Sequence, residues 1–460
     1  MKKCSTRLFG VCVIISLITA CGKSITELDT VKLTRNKPQK IEIADLSDAW
    51  DTILNSSTKE FIGGHPVDES FLGMVTADYG ENVIEEIASY ANYDSPDIWY
   101  ELTGKSIHVL WYDYCAMTGI QQFSLDKTYV INEQTEDGDI VIDFTGDVSF
   151  ANGIATTDYM DHQMDGVYDC FSKDLLDEMQ SADILMINNE FAYTERGTAL
   201  EGKAYTFRTN PSRVSLMQDL GADIVSVANN HVYDYDEIGF LDTLDTLKKA
   251  NLPYVGAGVN LEEARKPAYF IIGGRKIAIV AATQIERTLN YTKEATVDSP
   301  GVMKCLHPEA FCETIREAKA NADYVIVFPH WGTEGNAVYG EDQIALARAF
   351  VEAGADAIIG GHTHCLQTVE YMDNVPIFYS LGNYWFATTG DMPAAYDTGL
   401  AQIRITPEGD IESRFIPCQF KDGVTRKLKS KDIAYRNIIN SLNSMSNSAV
   451  IDKAGNISKK

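Results

Sequence analysis

Asp147 in FTGDVSF, Glu190 in NNEF, Asn230 and His231 in ANNH, His330 in FPHWG, and His362 with His364 in GGHTH place carboxylate, amide and imidazole donors at five points along the chain. A mixed oxygen and imidazole shell suits one or two divalent ions, with Mn, Fe and Zn all compatible. Two neighbouring ions in such a shell can grip a phosphoester oxygen, activate water and offset charge on the leaving oxygen. The chemistry implied is therefore metal-centred and of the phosphoester type. Four of the chain's eight histidines fall in these segments, so imidazole is concentrated where the carboxylates are.

The elements that must position these residues follow from the pattern around them. Each segment begins where a run rich in Val, Ile or Tyr stops: IVIDFTGD, ADILMINNE, ADIVSVANNH, ADYVIVFPH and ADAIIGGHTH. In a mostly parallel sheet the loops after the strands converge on one edge, so residues far apart in sequence can meet there. Helical patterns precede several of these runs, as in PSRVSLMQDLG, HPEAFCETIREAKA and EDQIALARAFVEAGA, and this alternation predicts an α/β layered fold. Later runs such as TVEYM, VPIFYSLGN, GLAQIRIT and IESRFIPC look hairpin-linked, which predicts a mixed sheet or a second sheet. His362 and His364 are two apart, so a loop is needed to bring both to one centre, and Gly360-Gly361 leaves that backbone accessible. Taken singly, Asp147 and Glu190 could cap helices, Asn230 could hold a turn and His330 could pack near Trp331. Taken together at five strand ends, they point to a shared site.

Lys plus Arg total 39 against 66 for Asp plus Glu, a net charge of −27 that repels nucleic acid. It would also oppose a polyanionic substrate, and divalent cations at the site are the simplest local offset. Neither Gly104-Lys105-Ser106 nor Gly22-Lys23-Ser24 has the Gly five positions before its Lys that a phosphate-cradling loop needs, so ATP-driven ligation would fall to a partner. Residues 1–20 combine Lys2, Lys3 and Arg7 with an apolar run from Leu8 to Ala20, too short for an ordinary membrane span, and read as an export signal. Ile18-Thr19-Ala20-Cys21 resembles the lipobox of bacterial lipoproteins, which implies cleavage before Cys21, a lipid on its sulfur and anchoring of the exported protein to the bacterial cell membrane or outer membrane. Six further cysteines, Cys115, Cys170, Cys305, Cys312, Cys365 and Cys418, permit disulfides without requiring them.

Residues 21–40 read as a polar linker, and residues 41–138 as a folded, aromatic-rich accessory region whose His65 and His108 are surface or structural side chains. The acidic stretch NEQTEDGD marks a boundary, so the main domain is expected over 139–420, followed by a polar tail over 421–460 with one helix near Ile433 to Leu442 and a frayed end.

From Ile140 to Phe386 the segments FTGDVSF, NNEF, FRTNP, SVANNHVYD, VGAG, PHWGTE, GGHTHCLQTVE and IFYSLGNYWF occur in one order. In that order they resemble the CapA-type poly-γ-glutamate synthesis proteins, a branch of the calcineurin-like metallophosphoesterase superfamily. The resemblance implies a four-layer αββα sandwich with a dinuclear site at its strand ends. It implies Asp147 and His364 on one metal, Asn230, His330 and His362 on the other, and Glu190 where the superfamily places a bridging Asp. His231 matches the His that contacts the scissile group or protonates its leaving oxygen. Arg208 and Asn383 are candidates for substrate contact or for loop structure. Two departures stand out. Ser149 replaces a His that the superfamily commonly places two residues after the first Asp, with His162, Asp158, Asp161 or Asp165 as possible substitutes. Asp236 stands where a Gly is expected. The functions implied are capsule or poly-γ-glutamate synthesis, export or attachment with a ligase partner, hydrolysis of another envelope phosphoester, or a non-catalytic role in binding or assembling an anionic envelope polymer.

Overall fold

The computed structural model describes residues 48–54, 62–65, 67–80, 82–119, 128–131, 138–387 and 395–460. The expected signal, linker and Cys21 lie outside the described residues. The body is built on two sheets packed face to face. A seven-stranded sheet runs in the order 128–131, 268–272, 275–283, 324–330, 357–359, 375–378, 369–372, and its four central neighbours from 275–283 to 375–378 are parallel. A ten-stranded sheet has 140–148, 184–189, 224–226 and 254–255 as its parallel half, and 396–405 with 411–421 as an antiparallel extension.

Alternation along the strands explains the layering. Ile140, Ile142 and Phe144 of one sheet and Ile277, Ile279, Ile326 and Phe328 of the other belong to a single buried cluster between the sheets. Phe144 and Phe328 stack across it with ring centroids 6.3 Å apart. On the far side of the ten-stranded sheet, Met179, Met217, Phe240 and Leu244 bring helices Lys173–Ser181, Val214–Leu220 and Asp236–Lys249 onto a second cluster. On the far side of the seven-stranded sheet, Phe311, Ile315 and Phe350 bring Glu309–Ala320 and Glu341–Ala353 onto a third. The result is the four-layer αββα sandwich that the alternation and the resemblance imply. Each fully buried Leu, Ile or Phe contributes about 1.5–3 kcal/mol, so these three clusters outweigh any single polar contact in fixing the sheet edges.

The accessory region packs on its own core of Trp50, Phe71, Trp99 and Trp111. Its helices are clearly punctuated: Asp68, Ser95 and Ser106 accept from backbone N–H groups at three helix starts, and Gly104 and Gly119 close two helix ends in the left-handed region. It docks on the body where Arg275 pairs with Asp97 at 2.7 Å and lies 3.7 Å from the centre of the Tyr100 ring. His65 and His108 are buried at this junction and bonded to each other at 2.8 Å, structural side chains rather than surface ones.

Two boundaries differ from expectation. Strand Thr128–Ile131, inside the expected accessory region of 41–138, pairs in parallel with Ala268–Ile272 and belongs to the seven-stranded sheet. Residues 421–460 are no frayed tail. Val424–Lys427 and Asn456–Lys459 pair with the strand Ile411–Lys421, and helix Ile433–Met445 places Tyr435, Ile438 and Leu442 in the core between the sheets. Glu370 fastens this segment by accepting from the backbone of Asn447 and Ser448, both at 2.7 Å. The segment reads as polar because its strands are short and half exposed, leaving few apolar residues to mark them. Among the described residues no helix is long and apolar enough to cross a membrane, and no disulfide joins any of the six cysteines from Cys115 to Cys418.

Candidate metal centre

The five strand ends meet where the carboxyl edges of the two sheets face each other. Asp147, Glu190 and Asn230 come from the ten-stranded sheet, and His330, His362 and His364 from the seven-stranded one. Asp147 lies just past a register irregularity between Phe144 and Asp147, a local bulge that turns its carboxylate from the sheet interior toward the edge. Asn188 donates to Asp147 Oδ1 at 2.7 Å, and the backbone N–H of His362 approaches Asp147 Oδ2 at 3.2 Å.

The GGHTH segment holds both histidines in the left-handed region, His362 at φ 92° and His364 at φ 56°, a costly conformation for residues other than glycine. The two glycines let it come so close. A Cβ on Gly361 would stand 2.8 Å from Asp147 Oδ1, and one on Gly360 would stand 2.2 Å from the Tyr379 carbonyl. The same region of φ occurs at Asp236, at 59°, where a Gly was expected. Its carboxylate offsets the strain by accepting from Ile238 N and Thr198 N.

The ligand atoms fall into two groups that share one residue. Asp147, Glu190 and His364 form one, and Glu190, His330 and His362 form the other, with the offered atoms of each group within 4.8 Å of one another. Asn230 Oδ1 joins the second group at 2.8 Å from His330 Nε2, which lies 3.2 Å from His362 Nδ1 and 3.5 Å from Glu190 Oε1. Both Glu190 oxygens are buried with no hydrogen-bond partner among the described residues. A buried carboxylate without partners is costly unless a cation balances it, and here the orphaned group is the shared one. The chemistry of the donor set therefore fits divalent cations, with Glu190 common to both groups.

Burial pushes the His364 imidazole down. Its bond to Asp147, the charges of Glu190 and Asp147 and the Asn383 acceptor outweigh that push and lift it to about 10. Burial also pushes His362 down, and the neighbouring imidazoles and Arg287 push it further, so that it is held neutral as a ligand must be.

His231 stands next to Asn230 in the chain, with Nδ1 2.7 Å from Asp234 Oδ2. Lys203 lies 2.5 Å from Asp234 Oδ1 and also donates to the Asn230 carbonyl. Sequence reasoning missed Asn188, Lys203 and Asp234 as supports; the three-residue step from His231 to Asp234 in NNHVYD was the available signal. Asn383 is brought in, but its amide oxygen accepts from His364 Nδ1 at 2.7 Å. Arg208 is not part of the cluster: its guanidinium lies 4.2 Å from the centre of the Tyr235 ring and donates to the Arg196 carbonyl. His162, bonded to the Asp158 carbonyl, and Asp161, paired with Arg213, likewise belong to neither ligand group. Ser149 Oγ accepts from Ala151 N at 3.4 Å.

Residues 141–388, more than half of the 460, match the family described as Bacterial capsule synthesis protein PGA_cap. The chain belongs to this family. It is 34% identical over 248 residues to the PGA biosynthesis protein CapA of Bacillus subtilis (strain 168), covering 54% of this chain and 64% of that one. It is 32% identical over 238 residues to the capsule biosynthesis protein CapA of Bacillus anthracis, covering 49% and 55%. The match thus spans less than two thirds of either relative. A solved 5'-nucleotidase from Candida albicans aligns with a TM-score of 0.32 at 13% identity, over 62% of this chain and 53% of its own. The matched segment of the PGA_cap family takes in every proposed ligand.

Proposed function

We propose that this protein is an exported member of the capsule synthesis family that acts on a phosphoester through a two-cation site, in the making, export or attachment of an anionic envelope polymer such as poly-γ-glutamate. The observation that carries the reading is Glu190, which belongs to both ligand groups and whose two buried oxygens accept no hydrogen bond among the described residues. Divalent cations held there supply Lewis acidity toward phosphoester oxygens and acidify water. Asp147, fixed by Asn188, and His364, fixed by Asn383, serve one position; His330, His362 and Asn230 serve the other. His231, oriented by Asp234, gives its proton to the leaving oxygen. The capsule role is supported by family membership, and the lack of a phosphate-cradling loop motif points to a partner ligase for any ATP-driven step.

A lipid on Cys21 would hold the protein at the bacterial cell membrane or outer membrane, and Cys21→Ser should then move it out of the membrane fraction. Unchanged retention would sink that part of the reading. A second reading, a non-catalytic polymer-binding or assembly component, draws on Ser149, which leaves the Asp147 side with three ligand residues. Elemental analysis of wild type, His364→Ala and Asn230→Ala, with phosphoester turnover on the same samples, separates the two. Two metals per chain lost together with turnover support the enzyme. Bound metal with no turnover on any phosphoester supports the assembly role.

A further inference from the structure

A sixth strand end reaches the site and brings a cation rather than a ligand. Strand Arg275–Thr283 pairs in parallel with Tyr324–His330, in register Thr283 to His330, so Gln284 through Arg287 leave the sheet beside a metal-ligand candidate. Gln284 N–H donates to the His330 carbonyl at 2.9 Å, which fixes where the segment turns away.

The Arg287 guanidinium is held along one edge only. Its Nη2 donates to Gln284 Oε1 at 3.1 Å and to the Gly332 carbonyl, and lies 2.7 Å from Asp342 Oδ2. Gln284 is itself fixed by accepting from Gly332 N at 3.0 Å and donating to Asp342 at 3.0 Å. Among the described residues nothing engages Nε or Nη1, and the side chain is 36% exposed. A guanidinium carries five N–H donors, so those on Nε and Nη1 are left for a ligand. Its charge also reaches His362, where it adds to the downward push on that imidazole. In a chain of net charge −27, a cation held rigidly beside the ligand cluster with donors to spare answers a need that an anionic ester would impose. Arg208, read from sequence as a candidate for substrate contact or for loop structure, lies 4.2 Å from the centre of the Tyr235 ring.

We propose that Arg287 binds the non-bridging oxygens of the phosphoester at the metal centre, anchored by Gln284, Gly332 and Asp342 on one edge and donating to substrate from the other. This rests on the phosphoester reading of the site. The test is calorimetric titration of inorganic phosphate into the metal-loaded full chain, with metal content measured on the same samples. Loss of charge-assisted hydrogen bonds should weaken phosphate binding about 10–100-fold in Arg287→Ala with metal content unchanged. Arg287→Lys, which can keep the Asp342 pair but spends its ammonium there, should fold like wild type and still lose about tenfold. Where turnover is measurable, KM for the ester should rise more than kcat falls. Wild-type phosphate affinity in both variants at full metal content would overturn the proposal. Loss of metal along with phosphate would also overturn it, since Arg287 would then support the ligand loops. A metal-loaded wild type that does not bind phosphate would refute the phosphoester reading itself, and Arg287's role with it.

Discussion

Two groups of histidines are packed within the described residues, and only one of them fits a cation. At the sheet edges, His330, His362 and His364 face Asp147 and Glu190, and the carboxylate in the middle has no other partner. At the junction of the accessory region with the body, His65 and His108 bond to each other, and the nearest carboxylate, Asp323, lies 3.8 Å from His108. There, burial first and then the charge of Lys276 hold His65 down to about 3, whereas at the edges the desolvation of the part-buried His364 is outweighed by carboxylates that lift it to about 10. Burial is common to both. What distinguishes a candidate ligand set from a packed polar pair is convergence of two carboxylates on the imidazoles, one of which, Glu190, has no hydrogen bond to satisfy it.

The sharpest way to break this comparison is Glu190→Gln, which keeps shape and removes charge. Bound metal should stabilise the wild type by about 3–4 kcal/mol at 100 to 1,000 times its dissociation constant, and the variant should lose that increment together with all phosphoester turnover. Thermal melts with and without added Mn or Zn measure it. His65→Gln should leave the metal-dependent increment intact, and its loss there would erase the distinction. Next in size, His231→Asn should lower turnover by about 10²–10⁴-fold with metal content unchanged, read from initial rates beside elemental analysis. Smaller again, Asn188→Ala removes the amide that orients Asp147 and should weaken metal binding about 10–100-fold, measured by competition with a chelator.

A last test concerns the junction and follows from sign. His65 and His108 are depressed in the folded state, so below the ordinary histidine range near 6.5 the unfolded chain binds protons that the folded chain does not. Stability is therefore full above that range and falls on acidification toward about 3, at up to about 1.4 kcal/mol per pH unit for each histidine. The accessory region carries Trp50, Trp99 and Trp111, so denaturant melts followed by tryptophan fluorescence between pH 7 and 4 report the slope. A His65→Gln/His108→Gln double variant should flatten it.

Much of the sheet-edge group was legible because each ligand ends an apolar run and strands of one sheet share an edge. That Glu190 is shared by both groups was legible only through the resemblance, since spacing cannot say which carboxylate lies between two sets of donors. Asn188 was not legible, because NN at a strand end does not reveal which amide turns inward. Arg287 was missed for a different reason: the search for donors to a metal passes over a cation. The ending 421–460 was misjudged because a strand pair and a one-sided helix can complete a sheet while showing few apolar residues. His65 and His108 gave no sign of which they would be, surface or core, since they bond to each other across 43 residues of chain and sit beside Asp323, far along the sequence in the body.

The ligands are divided between two sheets, so the cation site also works as a seam. Phe144 and Phe328 stack between the sheets on the very strands that end in Asp147 and His330, three and two residues before them. Their rings act as a spacer between the two edges that carry the candidate ligands. The separation of those edges is thus set partly by hydrocarbon, at positions outside both ligand groups.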